Sequence, residues 1–352
     1  DVIGGGAIVV QELAHALGRS AGIDELVVSE HDILDGIALS IANPTFLKLD
    51  NLMTMLQEAS LTGIVAIGFT LILITAGIDM SIGAVIAITS MVCVNFISYT
   101  QLPAYIYIPI ALAIGCAIGG INGFFITHFK LPEFIVTLAT RGILAGLALI
   151  VAVKDEQGFV KNVFIEDPVF LSFGETIGPV YIVTIVFVVL AIATQFFMKR
   201  TRAGTNIYAS GANPTAARLS GINVDRTLIG VYMFSGFCAA LSAIFLSARM
   251  MTAMPEFGIG NELDVIASVV IGGTPFTGGI GDIWGTILGT LFIALIKNGI
   301  LKLGLSPYIQ PIVIGGIIIL TVVVDVWYKL HAEKKATQAA RRKAMESKEV
   351  GA

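Results

Sequence analysis

From residue 61 onward the chain is a succession of apolar stretches of about 20 residues, the length a helix needs to cross the hydrocarbon core of a bilayer. Candidate spans fall at about residues 61 to 77, 80 to 98, 104 to 126, 134 to 153, 178 to 198, 227 to 249, 283 to 302 and 308 to 328, with a short Gly-interrupted segment at about 262 to 275. With 56% hydrophobic and 13% charged residues and 38 glycines, the composition is one no soluble domain of this length needs. The expected fold class is all-α, a polytopic membrane protein of about nine transmembrane or re-entrant helices.

One long polar stretch, Lys199 to Arg226, separates two blocks of spans and sets the orientation. It carries Lys199, Arg200, Arg202, Arg218 and Arg226 against the single acid Asp225, so the positive-inside tendency assigns it to the cytoplasm. Four crossings after Arg226 bring the C-terminus back to the same side, where Lys329, Lys334, Lys335, Arg341, Arg342 and Lys343 cluster in a basic tail, residues 329 to 352. The polar, net acidic loop from Lys154 to Thr176 belongs on the other side. Within the basic loop, Asn213-Pro214-Thr215 reads as a helix start and Gly221 as its stop, predicting a short exposed helix. On composition alone this is a solvated connector.

The net charge of −4 is misleading, because residues 1 to 42 hold seven acids and one Arg while the remainder carries 20 bases against 18 acids. Cys93, Cys116 and Cys238 lie singly in apolar runs and the four His are scattered, so neither a disulfide framework nor a metal site is suggested. There is no Gly-rich Lys-Ser/Thr phosphate loop; any ATP hydrolysis by that route belongs to a separate subunit. Residues 1 to 42 have soluble character, and DVIGGGAIVVQELAHALG with DELVVSEHDILDGIA resembles the C-terminal end of exopolyphosphatase/guanosine pentaphosphate phosphatases. The nucleotide-binding strands of such an enzyme are missing from this resemblance, so no phosphatase activity is expected. From Asn43, NPTFLKLDNLMTMLQEAS reads as a surface turn leading into an amphipathic helix that precedes the first span.

A weak internal symmetry accompanies this topology. Asn122-Gly123 and Asn298-Gly299 each read as the end of a span followed by a proline, Pro132 or Pro307, and lone acids Asp79 and Asp264 stand at the openings of two segments. The members of each pair fall on opposite sides, as an inverted repeat requires. In this matching the first helix is missing, its place taken by the phosphatase-like segment. Asn-Gly and a following Pro also end helices for ordinary capping reasons.

Four separated motifs carry a specific resemblance: ITAGIDMSIG (74 to 83), INGFFITHFKLPEFIVTL (121 to 138), TRAGTNIYASGANPTAARLSGI (201 to 222) and NELDVIASVVIGGTPFTGGIGDIWGTILG (261 to 289). In this order, from Asn43 to Tyr328, the chain resembles the membrane subunits of bacterial ABC importers for monosaccharides. Departures are Ala76 where glycine is usual, Glu133 where a second proline is common after Pro132, and the absent first helix. The resemblance implies a multi-pass permease of the bacterial inner membrane, surrounded by lipid. Its implied partners are a second permease subunit, identical or paralogous, a cytoplasmic ATP-binding subunit that holds ATP and Mg, and a periplasmic sugar-binding protein that sets most of the sugar specificity. This chain would bind no cofactor, and no nucleic-acid partner is implied. It also implies that the central loop is a coupling helix in a groove of the ATPase: Gly204, Ala209, Gly211, Ala216 and Ala217 would allow close approach, Asn213 and Gly221 would bound the helix, and Arg218 would pair with acids of the partner.

Candidate pathway or hinge residues each have two readings. Asp79 beside Ser81 is a hinge near the sugar path or the N-cap of the span from 80. Glu262 and Asp264 open a segment too short to cross, broken from the next helix at Gly272 and Gly273; a broken helix lines a cavity, or its glycines simply permit close packing. Thr137 faces the pathway or bonds its own helix backbone. The rival functions are a permease for branched-chain amino acids or nucleosides, and a stand-alone secondary transporter, for which more paired intramembrane acids and bases are expected.

Overall fold

The structure, a computed structural model, describes residues 46–100, 102–154, 156–161, 163–324 and 327. The expectations for residues 1 to 42, for their junction at Asn43 and for the basic tail lie outside the described residues.

Helix α1 (Leu49–Ile74) is a single continuous helix of 26 residues. The expected division into a surface helix and a later span does not occur, because nothing between Leu49 and Thr62 breaks the backbone. The polar residues of its first half are absorbed by the bundle instead: Gln57 is buried, and the Ser60 hydroxyl contacts the Leu56 carbonyl and Thr184 Oγ1. Among the described residues, six further helices are long and apolar enough to cross a bilayer: α2 (Ile82–Tyr99), α3 (Ala104–Phe129), α4 (Glu133–Val151), α6 (Ile182–Arg200), α9 (Val224–Met250) and α11 (Ile283–Lys302). Two shorter apolar helices stand beside them among the described residues, α10 (Asn261–Ile271) and α12 (Ile309–Val324). At about 1.5 Å per residue, the 11 residues of α10 cover only about half of a hydrocarbon core.

Short pieces sit at the helix ends. Between α4 and α6 lie β1 (Val163–Phe164), α5 (Pro168–Leu171) and the hairpin β2 (Thr176–Ile177) with β3 (Val180–Tyr181); β1 pairs antiparallel with β4 (Thr252–Ala253), just after α9. Between α6 and α9 lie α7 (Arg202–Ala212) and α8 (Pro214–Leu219).

The bundle is built around α1, whose centre is the most buried of the spans. The outer faces of α3, α4 and α6 expose Ile121, Phe125, Ile143, Leu147, Val189 and Ile192, which suits helices whose solvent is hydrocarbon. The closest pairing is α3 against α9. On α3, Gly115, Gly119 and Gly123 recur every four residues, and a Cβ at any of them would meet the backbone of α9 near Gly236, Tyr232 or Ile229. Small residues at this spacing let two helix backbones approach, which supplies van der Waals contact where lipid gives no hydrophobic drive.

This packing overturns one expectation. Asn122-Gly123 does not end a span; it lies inside α3, which continues to Phe129, and Asn298-Gly299 lies inside α11. The two Asn side chains are buried partners, not caps. Asn122 bonds Ser81 and Thr140, and Asn298 exchanges amide hydrogen bonds with Asn51. Ordinary capping, the local explanation of the two Asn-Gly pairs, therefore does not apply to either of them.

Candidate functional site

Among the described residues the polar side chains gather in three groups, the first of them around the basic loop. Here α7 starts with Thr201, whose hydroxyl accepts the Gly204 N–H at 3.1 Å, and α8 starts with Asn213, whose side chain accepts the Ala216 N–H at 2.9 Å. Pro214 fills the first turn of α8, and Gly221, at φ +84°, lets the chain leave it. The expected short helix is thus present with its expected bounds. A second helix, α7, lies directly before it.

The pair rests on a platform made by the end of α1 and the crossover between α10 and α11. The Gly279 amide donates to the Ile74 carbonyl at 2.7 Å, and a Cβ on Gly211 would collide with that same carbonyl. Tyr208 donates to the Gly281 carbonyl at 2.8 Å, and Lys199 pairs with Asp282 at 3.0 Å. Burial pushes the Tyr208 phenol above its ordinary range, with Lys199 opposing, so it stays protonated and able to donate. Asp282 also accepts from Gln195 and from the Trp284 N–H, capping α11.

The small residues of the loop consequently divide. Gly204 faces the Met198 backbone, Gly211 faces Ile74, and Ala217 is 4% exposed, so these pack inward and are unavailable to another protein, contrary to the expectation for them. Ala209 is half-buried, and Ala216 and Arg218 are exposed. Arg218 already holds Asp225 at 2.7 Å, so the acid it was expected to find on a partner is supplied by its own chain.

The second group surrounds the interrupted stretch 75–81. Helix α2 begins at Ile82, its N-cap position is Ser81, and Ser81 makes no side-chain capping bond. Asp79 is therefore not the cap; its Oδ1 accepts the N–H of Ser81 at 2.8 Å and the Ser81 hydroxyl at 2.6 Å. The chain of contacts continues from Ser81 to Asn122 and Thr140. Glu133, first residue of α4, accepts the Ile78 N–H at 3.1 Å, while Tyr232 donates to the Ile78 carbonyl at 3.2 Å. Thr137 bonds the Glu133 carbonyl at 2.9 Å, the local reading of that residue, and reaches the Ile78 carbonyl at 3.5 Å. The broken backbone survives because side chains of α4 and α9 satisfy Ile78. Ala76 adopts φ +62°, the left-handed region in which glycine costs least.

The third group lies around α10. Glu262, 2% exposed, accepts the Gly260 N–H at 2.8 Å and faces Arg141 at 3.3 Å. Asp264 pairs with Lys297 at 2.6 Å, and Glu58 with Arg249 at 3.0 Å. Gly272 packs against the Gly285 backbone and Gly273 turns the chain at φ +86°, so both glycines serve close packing and the bend. Beside these pairs is a cavity of about 400 Å³ between α1, α2, α9, α10, α11 and the start of α12, lined in part by Glu58, Thr62, Arg249, Asn261, Lys297 and Gln310. Arg141, Glu58, Arg249, Lys297 and Gln310 were not singled out in the sequence, since each partner is remote along the chain. A lone charge inside an apolar run is the signal that could have found the first four.

Residues 51–322 match the family model for the permease component of branched-chain amino acid transport systems. The ribose import permease protein of Escherichia coli strain K12 is 38% identical over 292 residues, 82% of this chain and 89% of that protein. The chain is an ABC-importer permease of this family. The ribose import permease of Haemophilus influenzae is 36% identical over 82% of this chain and 88% of its own length, and the galactose/methyl galactoside import permease of the same organism is 35% identical over 83% and 91%. No solved structure matches. As a permease of this family the chain is a multi-pass inner-membrane protein, and ATP hydrolysis belongs to a separate subunit.

Proposed function

We propose that this permease is the transmembrane subunit of an ATP-driven importer that moves a monosaccharide across the bacterial inner membrane. The substrate class follows from the ribose and galactose permeases it resembles over most of both lengths. The basic loop then faces the cytoplasm, as does the C-terminus, and the cavity beside α10 faces the periplasm. The working assembly holds two permease subunits, two ATPase subunits that carry ATP and Mg, and a periplasmic sugar-binding protein.

The observation that carries the coupling mechanism is the contact of Gly211 and Gly279 with the Ile74 carbonyl. Closure of the ATPase dimer on ATP displaces the exposed side of α8, and α7 transmits the displacement through Tyr208 and Gly211, beside Lys199 of α6, to both the end of α1 and the turn before α11. Both elements are interrupted next to the loop, at 75–81 and 272–282, so a shift at the loop changes the angle of helix segments and not the packing of the whole bundle. Asp79, Ser81, Thr137, Glu262, Asp264, Gly272 and Gly273 act at these hinges.

Reconstitution with an ATPase and a binding protein of the same importer tests this reading. Vesicles loaded with ATP should accumulate D-ribose or D-galactose only when both partners are present. Leucine uptake in their place assigns the chain to the amino-acid branch, and uptake driven by an ion gradient without ATP overturns the importer reading.

A further inference from the structure

The α3–α9 pair is closed on its inner side by Gly115, Gly119 and Gly123, and its outer side is a shallow groove. There a Cβ at Gly120 would lie 3.2 Å from Met233 Cγ, so these two residues face each other across it. Gly120 stands three residues after Ala117 and four before Phe124, spacings that put all three on one face of α3. Opposite them Met233 and Phe237, four residues apart, share a face of α9. Ala117, Phe124 and Met233 are exposed, so the groove is apolar and no described segment of the chain covers it.

At the end of the bundle that carries the basic loop, the groove leads to cations. Gly119 meets Tyr232 and Gly123 meets Ile229, and the same register carried one turn further brings Arg226 beside the last turn of α3. Arg226 also lies seven residues before Met233, two turns away on the same face of α9. On α3, His128 follows Phe124 by four residues and the two rings stack at 5.1 Å, which holds the imidazole on the groove side. Lys130 follows as the C-cap of α3. Among the described residues neither Lys130 nor Arg226 has an ion-pair partner. The neighbouring acids are committed elsewhere, Asp225 to Arg218 at 2.7 Å and Glu133 to the Ile78 N–H at 3.1 Å.

We propose that this groove holds one anionic phospholipid of the leaflet beside the basic loop, its phosphate between Lys130 and Arg226 and an acyl chain along Ala117, Gly120 and Met233. Charge selects the occupant. An apolar groove accepts any acyl chain, but two uncompensated cations at its polar end favour a headgroup of net negative charge over a zwitterion, as juxtamembrane bases do. The His128 ring adds an N–H donor for a phosphate oxygen. Another transmembrane helix would cover the apolar part and leave both cations without a counter-charge. The lipid bears on the moving parts through α9, whose Tyr232 donates to the Ile78 carbonyl in the interruption at 75–81. Nothing in this site depends on which solute the permease carries.

Native mass spectrometry of the full chain, released from neutral detergent with either phosphatidylglycerol or phosphatidylethanolamine added, counts the retained lipid. The parent should keep one phosphatidylglycerol in clear preference to phosphatidylethanolamine. Lys130→Gln combined with Arg226→Gln should lower that retention roughly tenfold or more, two basic contacts having been removed. Ala117→Trp, which blocks the groove and keeps both cations, should lower it as well. Equal retention of the two lipids by the parent, or unchanged phosphatidylglycerol in the charge variant, overturns the site. Unchanged retention in Ala117→Trp also overturns it, because the anion would then sit on the basic surface without the groove. If the charge variant loses co-purified ATPase while its lipid retention is unchanged, the two cations serve the partner protein and the lipid reading fails. Each variant must melt in lipid-free detergent at the temperature of the parent; should Ala117→Trp not do so, the charge variant decides alone.

Discussion

The Gly279 amide donates to the Ile74 carbonyl at 2.7 Å, and Gly211 packs against the same carbonyl from the loop side. The carbonyl belongs to the last residue of α1, where helix ends leave acceptors without intrahelical partners, so a distant segment can claim it. Three parts of the chain thus meet at one atom: the first span, the α10–α11 crossover and the basic loop.

Gly211→Val tests the junction. There is no space for a side chain between α7 and Ile74, so α7 must lift, losing the reach of Tyr208 to Gly281. We expect a destabilisation on the order of 1–3 kcal/mol, the range for overpacked sites, seen as a lower melting temperature in detergent, together with loss of ATP-driven uptake. Gly230, which has open space around it, supplies the comparison: Gly230→Val should leave uptake near the parent level. Unchanged uptake in Gly211→Val would mean that the loop does not work through Ile74.

Ala76→Gly should stabilise the protein. Ala76 sits at φ +62°, where an L-residue pays roughly 1–2 kcal/mol relative to its usual conformations and glycine does not. Part of that gain is offset by the greater freedom of glycine in the unfolded chain, leaving a net gain of about 0.5–1 kcal/mol. The check is the melting temperature, expected to rise by a few degrees at most; a fall would show that the methyl group contributes packing that outweighs the strain.

The departures noted at Ala76 and Glu133 became physical only with the structure, one as a strained backbone and the other as an acceptor for the Ile78 N–H. What was legible beforehand depended on local signals. Asn213-Pro214 with Gly221 marked α8 to the residue, and the glycines after Ile271 marked the half-span α10, because caps and turns are decided by neighbours in the chain. Asn122-Gly123 misled for the same reason, since a local capping signal and a buried contact between spans use the same residue types. The ion pairs Glu58–Arg249, Arg141–Glu262 and Asp264–Lys297 join residues that no periodicity connects. Their number also shows that a scarcity of paired intramembrane charges does not separate importer permeases from secondary transporters here; the family match does that.

Asp282 and Lys199 should respond unequally to mutation. Lys199 is half-exposed and its ion pair is screened, so Lys199→Met should change stability by less than about 1 kcal/mol. Asp282 additionally accepts from Gln195 and caps α11 through the Trp284 N–H. Asp282→Ala removes the cap, worth about 0.5–2 kcal/mol, and leaves the Gln195 amide without its acceptor. Denaturation of the two variants side by side is the measurement, and equal loss would place the main role of Asp282 in the ion pair.

Ala216→Glu probes the coupling surface without disturbing the helix. Ala216 is exposed and stands three residues after Asn213, whose side chain accepts its N–H. Glu at this position can reach back toward the cap residue, as in a capping box, and its charge suits the first turn, so α8 should be held at least as well as before. Ala217→Glu is the opposite case: at 4% exposure it forces a carboxylate into the packing between α8 and its neighbours, and should destabilise by about 1–3 kcal/mol. If α8 docks on the ATPase, Ala216→Glu keeps the melting temperature and membrane level of the parent while co-purified ATPase and uptake fall; a side chain placed against a partner surface weakens binding, whereas one in open solvent changes stability by only about half a kcal/mol. Full complex formation and full uptake in Ala216→Glu would make the exposed side of α8 a solvated connector, and the ATPase contact would then have to be sought elsewhere on the basic face.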